Sequence, residues 1–287
     1  MWRVRLAAPA GTRLDDVRAK IATRLAGLVA EMSHWEPQSL LCRFNRAAAD
    51  SWTTLPSDFA KVVAAGLAVA ERSNGAFDPA IGALVDLWGH GPPGPCHPPG
   101  AAELAEARAR SGWRRVHWDA GARRLRQPGG LALDLSGIAK GHAVDAVSDL
   151  LTGLGLRHHL VEVGGELRGR GVRPDGEPWW VDLETPPGLA LAPLRVALHD
   201  LAVATSGDTV RGAHTLDPRT GRPAAGAAVV SVLHASTMWA DAWASALIVL
   251  PAQQAMALAA EEGLAARYLS RAKQAEWLSP VLAAMLG

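Results

Sequence analysis

Leu131-Ala132-Leu133-Asp134-Leu135-Ser136-Gly137-Ile138-Ala139-Lys140-Gly141-His142-Ala143-Val144-Asp145-Ala146-Val147 is the stretch whose reading decides the fold. The apolar run over 131–135 predicts a central strand. An acid-hydroxyl-glycine turn stops it, and a helical pattern over about 139–154 begins straight after. A strand-turn-helix of this kind presents backbone N–H groups where a phosphate can sit.

Outward from that point the elements alternate irregularly. Residues 1–10, with basic residues interleaved with apolar ones, read as a short alternating strand. Residues 13–32 read as an amphipathic helix, with Leu14, Val17, Ile21, Leu25 and Val29 on one face, ended by Ser33-His34-Trp35-Glu36-Pro37. A second helix is predicted over 57–72 with Ser57 as its cap, and a third over 101–110. Strand signals follow at 115–118 and 124–126, then at 160–163, 166–171, 179–184 and 194–201. Helical patterns return at 237–250 and 252–262. Pro and Gly keep 89–100 irregular, as a surface loop. Strands and helices mixed without a regular βαβ order predict an α+β fold, not a doubly wound sheet, in a single domain over 1–287.

Composition narrows the function classes. The 287 residues carry 29 Lys and Arg against 28 Asp and Glu, a net charge of +1. That balance gives no electrostatic case for nucleic acid or an anionic membrane, so any phosphate recognition must be local. Cys42 and Cys96 are the two cysteines, flanked by unrelated sequence, and read as unpaired thiols. No window approaches the ~18 apolar residues of a membrane span, and the first residues lack the uninterrupted apolar core of a signal peptide. The expectation is a soluble, cytoplasmic chain with no membrane insertion.

Four segments carry chemistry. In Val163-Gly164-Gly165-Glu166, two glycines between strands form either a tight hairpin or a close approach for a flat ligand or phosphate. His214-Thr215-Leu216-Asp217-Pro218-Arg219-Thr220-Gly221-Arg222 offers arginines for phosphate oxygens and a histidine able to move a proton. It is equally a well-formed turn, with Asp217 capping it and Gly221 at positive φ. Thr237-Met238-Trp239-Ala240-Asp241-Ala242-Trp243-Ala244-Ser245 reads as a buried helix on which Asp241 and Ser245, four apart, share a face. A carboxylate and a hydroxyl there suit Mg²⁺, which takes few protein ligands beside phosphate oxygens and water. Finally, Asn74-Gly75-Ala76-Phe77-Asp78-Pro79 pairs a turn with an aromatic. Phe77 and Trp35 either stack on a planar ring or belong to the core.

Taken in order, residues 32–45, 74–89, 134–145, 163–171, 204–208, 214–223 and 240–250 resemble the ApbE family, the FAD:protein FMN transferases, over about residues 2–280. The resemblance implies one ApbE-like, T-fold-related α+β domain, a mixed or antiparallel sheet packed by helices. It implies Mg²⁺-dependent transfer of FMN from FAD to a Ser or Thr hydroxyl of an acceptor flavoprotein carrying a flavinylation motif, releasing AMP. Hydrolysis of FAD to FMN and AMP and flavin binding without catalysis are the alternatives. On the family pattern the Ala139 and Ala244 carbonyls, Asp241 and Ser245 surround the metal. Trp35, Ala76, Phe77, Asp78, Ser136, His142 and Thr215 line the FAD site, and His214 is the base for the acceptor hydroxyl. The chain departs from the pattern at several points. It opens Met1-Trp2 in place of Met-Gly-Thr, and Thr209 and His142 stand where tyrosine is usual. Ser245 replaces a threonine, and the hairpin between Asp208 and His214 is short. Many relatives are exported lipoproteins, whereas no lipobox is visible here. Lys140 receives no role.

Overall fold

The computed structural model describes residues 1–94, 96–207, 215–224 and 227–287. They form two compact units: Met1–Leu25, Lys140–Thr215 and Ala224–Gly287 in the first, Ala26–Ala139 and Leu216–Pro223 in the second.

The first unit is built on a seven-stranded sheet in the order Trp2–Ala7, His158–Val163, Glu166–Arg170, Leu201–Gly207, Val229–His234, Ala265–Ser270 and Ala275–Leu278. Every neighbouring pair is antiparallel. The α+β expectation holds, with an antiparallel sheet packed by helices. The period-two geometry of a strand sends Leu160 and Val161 to opposite faces. Val161 packs with Ile21, Val144, Val147 and Leu151 against two helices, Leu14–Met32 and Ala139–Gly153. Leu160 joins Trp179, Val196, Leu198 and Leu282 under the hairpin Trp179–Asp182/Arg195–Leu198. The helix Thr237–Ile248 is buried almost throughout, and Pro251 follows it at the start of Ala252–Glu261.

Several expectations need correction. The stripe of the first helix runs Val17, Ile21, Leu25, Leu28 and Met32, whereas Leu14 and Val29 are exposed. A straight helix drifts against a fixed three-four spacing, and the buried face follows the drift. Residues 194–201 are not one strand. Asp200 adopts φ 54°, which ends Arg195–Leu198 and lets Leu201–Gly207 enter the large sheet. Val229–His234 and Ala265–Ser270 carry no alternation signal, because both faces are covered and nearly every residue is buried.

The second unit contains the helices Leu40–Asn45, Ser57–Arg72, Gly82–Leu87 and Ala101–Arg110 and a small sheet of Trp52–Thr54, Arg124–Arg126 and His117–Asp119. Ser57 is the first helical residue and not the cap; Pro56 holds that position, with no side-chain bond to the helix. The strand signal at 115–118 is displaced by a short 3₁₀ turn, Trp113–Arg115. Both cysteines are free. Among the described residues no helix is long and apolar enough to cross a membrane.

The segment 131–135, predicted as a strand, forms none and pairs with no strand among the described residues. Its backbone is satisfied by amide side chains instead. Asn45 donates to the Leu133 carbonyl and accepts from the Leu133 N–H, both at 2.9 Å. Gln127 donates to the Leu131 carbonyl at 3.0 Å and accepts from the Leu131 N–H at 3.0 Å. Single backbone bonds to Gly82 and Pro79 complete the segment. A primary amide reproduces the donor and acceptor of one strand residue, so two side chains do the work of a missing neighbour. Gln127 also holds Gly129 and the Phe44 carbonyl while itself fully buried. Gln127→Ala therefore leaves several buried backbone groups unpaired, and urea denaturation is expected to show a loss of about 2–4 kcal/mol. A loss under 1 kcal/mol would mean that the segment is held by packing alone.

Candidate functional site

Asp145, on the helix Ala139–Gly153, sets the geometry. Its carboxylate accepts five hydrogen bonds. They come from Arg168 Nη1, Ser236 Oγ, the Thr237 N–H, Thr237 Oγ1 and the Met238 N–H. It thus caps the N-terminus of Thr237–Ile248 from another helix, where the orphan N–H groups and the positive end of the dipole favour an anion. Burial works to raise its pKa. The bonds from Ser236 and Met238, with the Arg168 charge, outweigh that and hold the carboxyl below the usual range.

Four residues nearer the start of the same helix, the two helices touch through Gly141. A Cβ there would lie 2.3 Å from the Thr237 carbonyl oxygen and 2.8 Å from Asp241 Cβ, so only glycine allows the approach. The close contact brings the Gly141 N–H within 2.9 Å of Asp241 Oδ2. Lys140 Nζ lies 3.3 Å from Asp241 Oδ1 and ion-pairs with Glu166. Partial desolvation works against the Lys140 ammonium, but Asp241 and Glu166 prevail and hold its pKa above the ordinary value. Burial and the Asp241 charge push the Glu166 carboxyl up, with Lys140 pulling the other way. One turn beyond Asp241, the half-buried Ser245 has its hydroxyl 3.3 Å from that of Ser206. Two buried carboxylates facing one ammonium leave a local excess of negative charge.

The opening turn is no open phosphate cradle. Asp134 Oδ1 takes the Ser136 N–H at 2.8 Å and also the Ser136 hydroxyl. The Ile138 and Ala139 N–H groups go to the Leu135 carbonyl, and the Gly141 N–H goes to Asp241. Nor is Arg219 open to phosphate: Asp217 binds its guanidinium at two points, each 2.8 Å, within the turn that Gly221 closes at φ 70°. Gly164 and Gly165, at φ 67° and 108°, form the two-residue hairpin between His158–Val163 and Glu166–Arg170.

The aromatic segment lies in the second unit. Trp35 exposes 59 % of its surface, whereas Ala76 and Phe77 are buried in the core. Asp78 is buried and accepts the Ala80 N–H at 2.7 Å and the Trp113 N–H at 2.9 Å. Burial, opposed by these bonds, pushes its carboxyl up to about 6. Ser136 is exposed, and His34 Nδ1 stands 3.5 Å from Asp134 on the far side of that carboxylate. In the first unit His142 is buried one residue past Gly141, and Thr215 is half-buried with its carbonyl accepting the Ala224 N–H. His214, like Asp208 and Thr209, lies outside the described residues.

The ApbE family model covers residues 1–268. The chain belongs to the ApbE family. It is 30% identical to an FAD:protein FMN transferase of Salmonella typhimurium, covering 98% of this chain and 85% of the relative. The Haemophilus influenzae enzyme of the same name is 32% identical, over 90% of this chain and 79% of its own. Among solved structures, the apo flavinyl transferase ApbE of Pseudomonas stutzeri superposes with a TM-score of 0.92 at 33% identity, covering all of this chain and 93% of its own. The flavin transferase ApbE of Vibrio cholerae gives 0.90 at 30% identity, over 99% and 94%. The chain is therefore an ApbE-family transferase. Asp145, Arg168, Lys140 and Glu166 carried no role in the sequence reading. Only their place in the matched segments hinted at them.

Two outcomes follow from this geometry. Gly141→Ala forces Cβ against the Thr237 backbone and should destabilise by about 2 kcal/mol in denaturant titration, despite the better helix propensity of alanine. Asp78 has a folded-state pKa above its unfolded value, so its contribution is present at low pH and lost as pH rises from about 4 to beyond 6. Measured against Asp78→Asn, which does not titrate, wild-type stability should fall by up to about 3 kcal/mol across that window. A flat difference would exclude the raised pKa.

Proposed function

We propose that this protein transfers FMN from FAD to a Ser or Thr hydroxyl of an acceptor flavoprotein, with Mg²⁺, releasing AMP. The observation that carries the reading is the fixing of Asp241. Its Oδ2 is held by the Gly141 N–H at the point where two helices meet, which leaves Oδ1 directed at the Lys140 side. A buried carboxylate with the Ser245 hydroxyl one turn away is a hard, oxygen-only donor pair of the kind Mg²⁺ accepts. Asp241 and Ser245, with the Ala139 and Ala244 carbonyls, would hold the ion. When bound, the ion neutralises charge on a pyrophosphate and orients it.

The chain's own residues supply the rest. Splitting a phosphoanhydride is mainly positioning plus electrostatics, and rigid elements provide both. The exposed indole of Trp35 offers a stacking face for a flat ring. Ser136 gives its hydroxyl proton to Asp134, so toward a ligand it presents lone pairs. It reads a donor group on FAD, not a phosphate oxygen. Ala76, Phe77, Asp78, His142 and Thr215 are the remaining FAD residues that the family pattern implies. The buried Ala76 and Phe77 contribute through the shape of the turn that carries Asp78. His214 is the proposed base: it takes the proton of the acceptor hydroxyl as the oxygen attacks the FMN phosphorus and AMP departs.

The test is incubation with FAD, Mg²⁺ and an acceptor peptide of the Asp-x-x-Ser/Thr-x-Ala-Thr type. In-gel flavin fluorescence on the acceptor is the expected result. Release of AMP with no labelled acceptor would instead identify a hydrolase, and unchanged bound FAD a binding protein. Asp241→Ala is expected to lower Mg²⁺-dependent turnover at least about 10²-fold. Full activity in that variant would exclude the metal assignment.

A further inference from the structure

Lys140 has no part in the assignments above, yet it sits on the metal-site carboxylate. Asp241 Oδ2 is committed to the Gly141 N–H, so Oδ1 is the oxygen left for a cation, and Lys140 Nζ is 3.3 Å from it. The same ammonium is bound by Glu166 Oε1. The Asp241 and Glu166 side chains are only 3% and 2% exposed, whereas Lys140 is 42% exposed. Glu166 Oε2 is buried and has no partner among the described residues. Glu166 is fixed by the sheet, as the first residue after the Gly164-Gly165 turn, paired with Val163. A Cβ at Gly164 would fall 3.3 Å from both Lys140 Cδ and Glu166 Oε2, so that glycine leaves the lysine stem its passage.

An ammonium and a divalent ion on one carboxylate oxygen repel each other strongly, so one must yield. Lysine is suited to yielding, since its charge rides on a flexible four-carbon stem. Driven off Asp241 alone, the ammonium would lose its partner. Beside Glu166 it keeps one, and a second acceptor oxygen there is open.

We propose that Lys140 is a tethered counter-cation for the metal site and Glu166 the carboxylate that receives it, a positioning pair that sets how tightly Asp241 takes Mg²⁺. Before the metal binds, Lys140 offsets part of the repulsion between two buried carboxylates. As the ion arrives, Lys140 withdraws to Glu166. This rests on the Mg²⁺ reading given above.

The pair predicts effects of opposite sign on metal affinity. Free Mn²⁺ is followed by electron paramagnetic resonance as the ion is titrated into the protein without FAD. Glu166→Gln leaves Lys140 with Asp241 as its sole partner, and Mn²⁺ should bind roughly ten-fold more weakly. Lys140→Met removes the competitor, and Mn²⁺ should bind roughly ten-fold more tightly. The metal-free Lys140→Met protein should also melt at a lower temperature, recovered by Mn²⁺. In the double variant, which removes one charge of each sign, Glu166→Gln should cost much less than it does alone, because its effect passes through Lys140. Single variants that shift affinity in the same direction or leave it unchanged overturn the proposal, as does strict additivity in the double variant. Asp241→Ala separates the two readings: undiminished Mn²⁺ binding there would remove the metal site itself.

Discussion

The first unit depends on one buried carboxylate. Asp145 receives Ser236, Thr237 and Met238 at the head of the helix Thr237–Ile248, and Arg168 from the sheet. A helix that is apolar on nearly every side has no polar face to fix its rotation or its depth. Its N-terminus is where it can be held, because orphan N–H groups there must be satisfied. With the acceptor on a neighbouring helix, the cap becomes a tertiary lock, and Arg168 compensates the charge that the lock buries. Removing the carboxylate would leave both the helix head and a buried guanidinium without partners, the situation in which such networks are costly to break.

From that lock the placement of Asp241 follows by helix arithmetic. Asp145 and Gly141 are four apart, so the capping carboxylate and the glycine contact lie on one face of their helix. Thr237, Asp241 and Ser245 form the matching row on the other. The cap fixes Thr237, the glycine lets the backbones meet, and Asp241 lands on the Gly141 N–H. No loop intervenes between the lock and the carboxylate. Lys140, bound to Glu166, then lies 3.3 Å from an Asp241 carboxylate already placed by backbone, the kind of support a precise site requires.

Much of this was legible in the residues. The 141–145 and 237–245 segments show the four-residue spacings, and a buried Asp on an apolar helix announces that it needs a partner. What could not be read was which partner. Asp145 sits 92 residues from Thr237, and spacing within a helix says nothing about contacts across such a gap. The strands Val229–His234 and Ala265–Ser270 were missed for a related reason: covered on both faces, they lose the alternation that marks a strand. Residues 131–135 fail in the opposite way. Their pattern is strand-like, but strand pairing belongs to two segments, and here Asn45 and Gln127 take the neighbour's place.

The same turn that first suggests a phosphate site shows why a local motif underdetermines chemistry. A strand-turn-helix exposes N–H groups only if the sequence does not consume them. Here Asp134 takes the Ser136 N–H, Leu135 takes the next turn's, and Asp241 takes that of Gly141. The segment is a rigid frame whose donors go to one backbone carbonyl and two carboxylates, and both carboxylates bring negative charge of their own. A pyrophosphate brought near such a frame is repelled unless a cation stands between.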